Sequence, residues 1–433
     1  MSKLNVKQQP IYTHEGGRAK RINAEQQLRR SVMGCLLWED QFYEDGISIA
    51  ERIKSLVPQV EAKKVAEIAI EARLKMKLRH APLLIVREMA RHDTHKSLVS
   101  STLSRIIQRV DELSEFLAIY WQEGKQPISA QAKRGLAEAF TKFDSYQLAK
   151  YNRDATVKLR DVLFLCHAKP KDEAQGEVWK QLVDGTLPIP DTWEVALSSG
   201  TDKKTSWERL LREDKLGALA LLRNLRNMES VGVDSHLVKE RLSTMRVERV
   251  LPFRFIAAAK YAPQWENTIE EAMMRALSSA EKLSGKTLLL IDVSGSMTEN
   301  LSSKSEMTRM DAAAGLGILA REILDCRVFT FSTKLVEIPA RHGFALRDAI
   351  VNSQMHSATY LGDAVRSLLG LPHDRLIVIS DEQAHDDIPN PVTRSYVVNV
   401  ASFENGVGYG AWTHIDGWSE AVLDYIRAFE RVG

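Results

Sequence analysis

Asp292, Ser294 and Ser296 stand at alternate positions in Thr287-Leu-Leu-Leu-Ile-Asp-Val-Ser-Gly-Ser-Met297. One carboxylate and two hydroxyls in so short a span offer only hard oxygen donors, the kind that hold Mg²⁺ or Mn²⁺. Such a cation needs a second anionic ligand and further oxygens from other loops. Asp381 follows the apolar run Arg375-Leu-Ile-Val-Ile-Ser380 and supplies the anion; Thr359, in Ser357-Ala-Thr-Tyr-Leu-Gly-Asp363, supplies a third hydroxyl. With these five residues engaged, one coordination place remains for a partner's carboxylate or a phosphate. The same donors could also hold a cation whose role is purely structural.

A second group of residues suits nucleic acid. Between 142 and 171 lie seven basic residues, Lys142, Lys150, Arg153, Lys158, Arg160, Lys169 and Lys171, against Asp144, Asp154 and Asp161, a local balance of +4 with aromatics interleaved. If the segment from Val157 is helical, Leu159, Val162, Leu163 and Cys166 form the buried stripe, leaving Arg160 and His167 together on a neighbouring face. Lys150, Tyr151 and Arg153 precede that helix, where a loop can offer charge, a stacking ring and a guanidinium to single-stranded RNA. The plainer alternative is a solvated helix face with a histidine at the core edge. Arg79, His80, Arg87 and Arg91 lie along another helical stretch and could line a basic wall, about half of them spent in salt bridges with Glu88 or neighbouring acids. His92 and His95 have the spacing of a helical metal pair, yet no Cys or third His is near in the sequence, which favours a surface role.

The elements that must position these residues are of two kinds. Thr287–Asp292 and Arg375–Ser380 are apolar runs rich in Leu, Ile and Val, the pattern of strands buried on both faces of a parallel sheet. A site at their carboxyl ends is where open α/β sheets collect ligands. Between and after them the spacing predicts a helix around Met307–Leu324, a strand at Arg327–Ser332, a helix near Phe344–Asn352, a helix after Thr359, a strand at Ser395–Val400 and a closing helix from Trp418. That alternation specifies a doubly wound sheet. Before residue 286 nothing reads as sheet. Residues 1–20 form a polar arm with Pro10 and Gly16-Gly17, after which Leu28, Val32, Leu36 and Leu37, then Val65, Ile68, Ala69 and Ala72, recur at helical spacing. Breaks at Pro58, Pro82, Pro127, Pro170, Gly185, Gly200, Gly232 and Pro252 divide the region into helices that must stack on neighbours, a degenerate array of antiparallel pairs enclosing a concave or closed surface. The predicted domains are 1–285, helical, and 286–433, α/β.

Charge follows the same division. Residues 287–433 carry 12 Lys and Arg against 19 Asp and Glu, a balance of −7, and the rest of the chain is at +9, so the net +2 hides two bodies of opposite sign. A basic body suits polyanions, and an acidic one suits a bound cation. No stretch approaches about 18 consecutive apolar residues, and Lys3, Lys7 and Gln8 replace the apolar core of a signal peptide, so a cytoplasmic protein away from membranes is expected. Cys35, Cys166 and Cys326 are odd in number and far apart, which argues against disulfides or a zinc site. Gly285-Lys286-Thr287 mimics the end of a phosphate loop, but Ala280 replaces its first glycine and the strand follows instead of preceding it. No Gly-x-Ser-x-Gly elbow and no His-Glu-x-x-His are present, so no catalytic constellation is identified.

The Asp-x-Ser-x-Ser run with Thr359 and Asp381 resembles the metal-ion-dependent adhesion site of von Willebrand factor A domains. Ala149-Lys-Tyr-Asn-Arg153, Leu165-Cys-His-Ala-Lys-Pro170 and Leu78-Arg-His-Ala-Pro-Leu-Leu-Ile-Val-Arg-Glu-Met-Ala-Arg91 resemble the TROVE module of the Ro autoantigen family, of bacterial or phage type. The resemblance implies a ring of HEAT-like helical pairs followed by a Rossmann-like von Willebrand A domain. It also implies binding of small noncoding Y-like RNA on the outer basic surface, passage of single-stranded ends of misfolded RNA through the ring, and tethering of an exoribonuclease. Lys150, Tyr151, His167 and Lys169 match the family's RNA-contacting positions; Asp154 departs from it, standing where the family has a basic residue. The expected function is therefore a monomeric, noncatalytic RNA-binding scaffold in RNA quality control or processing. A metal-dependent protein adaptor without RNA, and a metal-dependent RNA hydrolase built on Asp292 and Asp381, are its rivals.

Overall fold

The structure, a computed structural model, describes residues 9–433 except 34–36, 38–43, 153–154, 199–201, 248–249, 279–280, 302–305, 418, 420 and 433. Cys35, Leu36 and the expected helix start at Trp418 lie outside the described residues. The chain divides into two compact units. One holds Ala24–Trp38 and Gly46–Leu210, and the other holds Met1–Asn23 and Glu39–Asp45 together with Leu211–Gly433.

The first unit is helical. Its helices are α1 (Ala24–Met33), α2 (Gly46–Leu56), α3 (Ala62–Leu74), α4 (His80–Met89), α5 (Lys96–Ile106) and α6 (Asp111–Tyr120). They are followed by α7 (Ala130–Phe140), α8 (Ser145–Tyr151), α9 (Leu159–Cys166), α10 (Glu173–Asp184) and α11 (Trp193–Ser198), with α12 (Lys203–Arg212) closing the series. Besides packing on its neighbour in sequence, as α1 does on α2 and α3 on α4, a helix meets the next but one: α1 meets α3, α3 meets α5, α5 meets α7 and α7 meets α9, while α2 meets α4 and α4 meets α6. Two rows result, with the stripes Val65, Ile68, Ala69, Ala72 and Leu113, Phe116, Leu117 fully enclosed. Ends are set by local chemistry. The Ser129 hydroxyl accepts from the Ala132 amide to start α7, and Gly185 takes a φ of 72° to stop α10.

In the second unit the same skipping continues. Helices α13 (Ala218–Ser230), α14 (Ser235–Thr244), α15 (Pro252–Tyr261) and α16 (Glu266–Ser278) precede strand β1 (Leu283–Asp292), and α17 (Arg309–Ile323) follows it. Next come β2 (Leu324–Phe331), β3 (Leu335–Ile338), α18 (Gly343–Val351), α19 (Leu361–Leu368), β4 (Arg375–Ser380), β5 (Arg394–Asn399), β6 (Thr413–Asp416) and α20 (Ala421–Val432). Helix α13 packs on α15 and α15 on α17, while α14 packs on α16 and α16 on α18. The four helices before the sheet are thus bound to the sheet's own helices. The compact unit starts near 211, not at the expected 285, because the helix pairs on either side of that position share apolar faces.

The sheet runs β3-β2-β1-β4-β5-β6, parallel throughout except for the antiparallel β2–β3 pair. β1 and β4 are neighbours, with Ile291 opposite Ile379, so Asp292 stands level with Ser380 and Asp381 leaves the sheet one residue further on. β4 is buried along its whole length, as its unbroken apolar run requires. Strand β2 begins at Leu324, three residues before the expected start, and the short edge strands β3 and β6 were not expected.

The polar arm is docked on this unit. Thr13 Oγ1 donates to the Ala384 carbonyl at 2.7 Å, His14 N to Gln383 Oε1 at 2.9 Å and Lys20 N to the Gly406 carbonyl at 3.0 Å. At Gly17 the approach is so close that a Cβ would lie 2.4 Å from the Ala384 oxygen. Gly17→Ala should therefore cost about 1–3 kcal/mol in urea denaturation, with amide exchange accelerated from Thr13 to Lys20; unchanged stability and protection would contradict the docking.

Candidate metal centre and nucleic-acid interface

Three loops converge at the carboxyl ends of β1 and β4. Asp292 Oδ1 accepts from the Ser294 amide at 2.8 Å and Oδ2 from the Ser380 hydroxyl at 2.6 Å. Ser296 Oγ donates to Asp381 Oδ2 at 2.6 Å and lies 3.4 Å from Ser294 Oγ. The third loop is tied in by the Gly295 amide on the Ser357 carbonyl, 2.9 Å, and by His356 Nδ1 on the Val293 carbonyl, 2.8 Å. Thr359 is buried there, its amide on His385 Nδ1 at 3.2 Å and its carbonyl accepting from the His385 amide at 2.9 Å. Among the described residues its hydroxyl makes no hydrogen bond. Ser294, Ser296 and the two aspartates are thus gathered at one edge, Thr359 stands on the loop tied to it, and all five expected ligands are withdrawn from solvent.

The electrostatics of this cluster favour a cation. Burial and the neighbouring Asp381 carboxylate hold the Asp292 carboxyl well above the usual range, while the Ser294 and Ser380 donors pull the other way. Arg309, itself buried, reaches to 3.7 Å from Asp381 Oδ2. Two desolvated carboxylates with hydroxyl neighbours are the donor chemistry of a hard divalent ion, so the residues fit one. No group of three or more His, Cys, Asp or Glu able to hold a metal occurs among the described residues; this set relies on Ser and Thr oxygens instead.

Behind Asp381 lies a charged cluster not found by sequence reasoning. Glu382 takes a left-handed φ of 62° and is buried, with its carboxylate 2.7 Å from His414 Nε2. His414 Nδ1 lies 3.4 Å from Asp416, and its ring stacks on Tyr409 with centroids 3.8 Å apart. A non-glycine residue with positive φ is strained and persists where its surroundings fix it; here His414 fixes the residue next to a candidate ligand. The available signal was the spacing of His414 and Asp416, two apart and hence on one face of a strand. The arm braces the same loop, with Glu15 3.2 Å from His385.

On the helical unit α9 has the predicted inner stripe, with Leu159, Val162, Leu163 and Cys166 buried. Its outer face presents Arg160, Phe164 and His167, spaced i, i+4 and i+7, and Phe164 is 59% exposed. Phe164 was missed, although it falls between the two residues singled out. His167 sits in a left-handed turn ending α9, and Lys169 is exposed beyond it. Arg160 stands 3.9 Å from Asp161, and the Lys158 amide donates to Asp161 at 3.1 Å. Lys150 Nζ lies 5.9 Å from the Tyr151 ring centroid, with Arg109 over that ring at 5.0 Å. Arg153 and Asp154 lie outside the described residues.

Other basic candidates are committed elsewhere. Arg87 is completely buried between Glu88, 2.9 Å, and Glu123, 2.8 Å, and so is removed from any surface contact. Arg91 pairs with Glu123 at 2.9 Å, Arg79 with Asp111 at 2.9 Å and Glu115 at 2.5 Å, and His80 stands 3.7 Å from Glu115. The stretch expected to line a basic wall is thus largely neutralised by acids of α6 and its following turn. Lys142 Nζ donates to the Ser104 carbonyl and, at 3.2 Å, to that of Ile107, closing the end of α5. His95 is buried on the Val60 carbonyl at 3.0 Å, not at the surface. Burial pushes both described thiols, Cys166 and Cys326, up to about 11, leaving them inert.

Comparison with known proteins bears on this arrangement. The TROVE domain family matches residues 185–357. "RNA-binding protein RO60" of Deinococcus radiodurans is 28% identical over 246 residues, covering 43% of this chain and 46% of that protein. The chain is thus similar to the Ro family over the stretches these matches cover. Its fold is shared with the crystal structure of Deinococcus radiodurans RO (RSR) protein, with a TM-score of 0.63 and 20% identity over 94% of this chain and 99% of that one. A shorter match, 39% identical over 78 residues, is to telomerase protein component 1 of Rattus norvegicus; it covers 17% of this chain and 3% of that protein. The chain therefore spans under half the length of these curated relatives. Among the described residues no helix is long and apolar enough to cross a membrane.

The His414 cluster gives a pH prediction. Burial pulls the imidazolium down, but Asp416 and Glu382 outweigh it and raise the pKa to about 9 from the ordinary 6.5. A raised histidine pKa contributes stability fully below about pH 6.5 that is lost as pH rises through about 9. The melting temperature should fall from pH 7 to 10, and His414→Gln should start lower and flatten that fall; parallel profiles for the two proteins would refute the assignment.

Proposed function

We propose that this protein is a noncatalytic RNA-binding scaffold of the Ro type that holds small noncoding, Y-like RNA and the single-stranded ends of structured or misfolded RNA in RNA quality control or processing. The observation that carries the reading is the outward face of α9, where an exposed Phe164 stands between Arg160 and His167 with Lys150 and Tyr151 on the preceding helix. An aromatic platform flanked by cations is what unstacked bases and their phosphates require. Support comes from the TROVE domain match over residues 185–357 and from the similarity to the Deinococcus protein described as RNA-binding.

The second part of the reading concerns the loop cluster. Asp292, Ser294, Ser296, Thr359 and Asp381 would hold Mg²⁺ or Mn²⁺, and the bound ion would supply positive charge at the sheet's edge for a partner's carboxylate or phosphate. Asp292 and Asp381 provide the charge, the hydroxyls orient toward it, and the Ser380 hydroxyl fixes Asp292 from behind. The partner in this reading is a protein such as an exoribonuclease, recruited by a monomer acting in the cytoplasm.

Separate surfaces make the two activities separable. Phe164→Ala should weaken binding of a single-stranded oligonucleotide by about 1–3 kcal/mol. Lys150→Ala with His167→Ala should lower the slope of log affinity against log salt by about 1 for each phosphate no longer engaged. Both sets should leave stabilisation by Mg²⁺ in a thermal melt unchanged, while Asp292→Ala should abolish it and spare RNA. Full RNA affinity in both α9-face variants would dismiss the interface, and degradation of RNA by the wild type in Mg²⁺ that Asp292→Ala stops would replace the scaffold by a hydrolase.

A further inference from the structure

Elsewhere the chain sets an acid against its crowded arginines: Arg73 on Glu112 at 2.6 Å, Arg87 on Glu88 at 2.9 Å, Arg347 on Glu266 at 3.0 Å and Arg375 on Glu430. One cleft departs from that habit. A space of about 850 Å³ between α13, α15 and the segment leading into α17 is lined by Arg223, Arg226 and Arg254, with Asn227, Tyr261 and Asn300 among the other polar residues. Among the described residues none of the three guanidiniums has an ion pair or hydrogen bond. The contacts they do make are with rings, Arg226 5.9 Å from the Tyr261 centroid and Arg254 4.9 Å from that of Phe253. Glu306 also lines the cleft, but its carboxylate forms no ion pair among the described residues; its backbone amide donates to the Tyr261 hydroxyl at 3.2 Å.

Holding like charges together without a counter-charge is unfavourable. The surrounding protein and the nearby Arg223 together keep the Arg254 pKa below its ordinary value. Such convergence is relieved by an anion whose oxygens accept from several guanidiniums at once, and the planar arginine fork matches phosphate better than a lone carboxylate. The volume falls in the range of small-ligand sites, about 300–1,000 Å³. Asn227, Asn300 and the Tyr261 ring add amide groups and a flat surface beside the charge, the chemistry that a ribose and base would meet.

We propose that the Arg223–Arg226–Arg254 cleft is a phosphate site that takes a nucleotide, either free or at the 5′ end of a strand. It lies on residues separate from the α9 face and from the five candidate metal ligands, so it does not depend on either of those readings. Ligand entering the cleft would touch Asn300 and Glu306, which lie between the Ser296 turn and the start of α17.

The test uses the full chain and four probes: inorganic phosphate, ADP, and a uridine hexamer carrying either a 5′-phosphate or a 5′-hydroxyl. Calorimetric titration should show the phosphorylated hexamer binding more tightly than its hydroxyl counterpart. The double variant Arg223→Gln, Arg254→Gln should weaken that binding about 10-fold or more and remove the preference for the 5′-phosphate. ADP binding as well as the hexamer would identify a free nucleotide as the source, and ADP binding poorly would identify a strand end. His167→Ala should leave the preference for 5′-phosphate intact, which separates failure here from failure of the α9 interface. Because the substitutions relieve repulsion, the melting temperature of Arg254→Gln, and of the exposed single variant Arg223→Gln, should be unchanged or higher. Absence of any preference for phosphate, equal affinity in the double variant, or a clear drop in melting temperature for both single variants would overturn the site.

Discussion

Two carboxylates brought side by side in a place without water set the terms for the carboxyl edge of the sheet. Asp292 ends β1 and Asp381 directly follows the last residue of its parallel neighbour β4, so the pairing of the two strands holds the carboxylates near one another. Like charges in a low-dielectric site repel strongly and are costly to desolvate. The surroundings are consistent with that demand. Hydroxyls of Ser380 and Ser296 donate to the two groups, backbone amides of Ser294 and Gln383 add to them, and Arg309 supplies a distant positive charge. The left-handed Glu382, pinned by His414, and the amino-terminal arm hydrogen-bonded to Gln383 and Ala384 keep the second strand's exit loop in place.

The basic groups of the helical unit sort by whether an acid reaches them. Along α4, arginines that a sequence pattern could assign to ligand are drawn into a lattice of carboxylates from Glu88, Asp111, Glu115 and Glu123. Around α9 the balance differs, because its outer positions alternate cation and aromatic and, among the described residues, the acid beside Arg160 is Asp161 at 3.9 Å. A count of lysines and arginines cannot separate these cases; the placement of acids from Glu88, next to Arg87, to Glu115 and Glu123 in and after α6 decides them.

Much of the sheet unit was legible in the sequence. The long apolar runs of β1 and β4 leave little freedom, since a strand buried on both faces needs unbroken Leu, Ile and Val, and the oxygen-bearing residues following them had to meet at one edge. Short edge strands were not legible: β3 and β6 have four residues each, with one buried position in β3 and two in β6, too little pattern to stand out from a loop. The α9 stripe was read correctly from its spacing, while Phe164 escaped because an exposed aromatic breaks no rule of periodicity. The burial of Arg87 was not legible because a fully buried arginine is rare unless paired; Glu88 was in view as the next residue, but Glu123 becomes a neighbour only on folding. The helix stacking across residue 285 was hidden too, since each amphipathic helix signals that it needs a cover without saying which.

That stacking has an implication for how this architecture can be inherited and rearranged. Because α15 and α16 lie on α17 and α18, the Rossmann-like half was not built as a freestanding cassette ending at its first strand. Excision at the change from helix to sheet would strip the outer layer from two of its helices and leave Phe255, Ile256 and Met273 uncovered on the helices cut away. The seam along which evolution or an engineer could exchange parts lies some seventy residues earlier, near 211, and the family match running without interruption from 185 to 357 passes straight over the spot where secondary structure changes class.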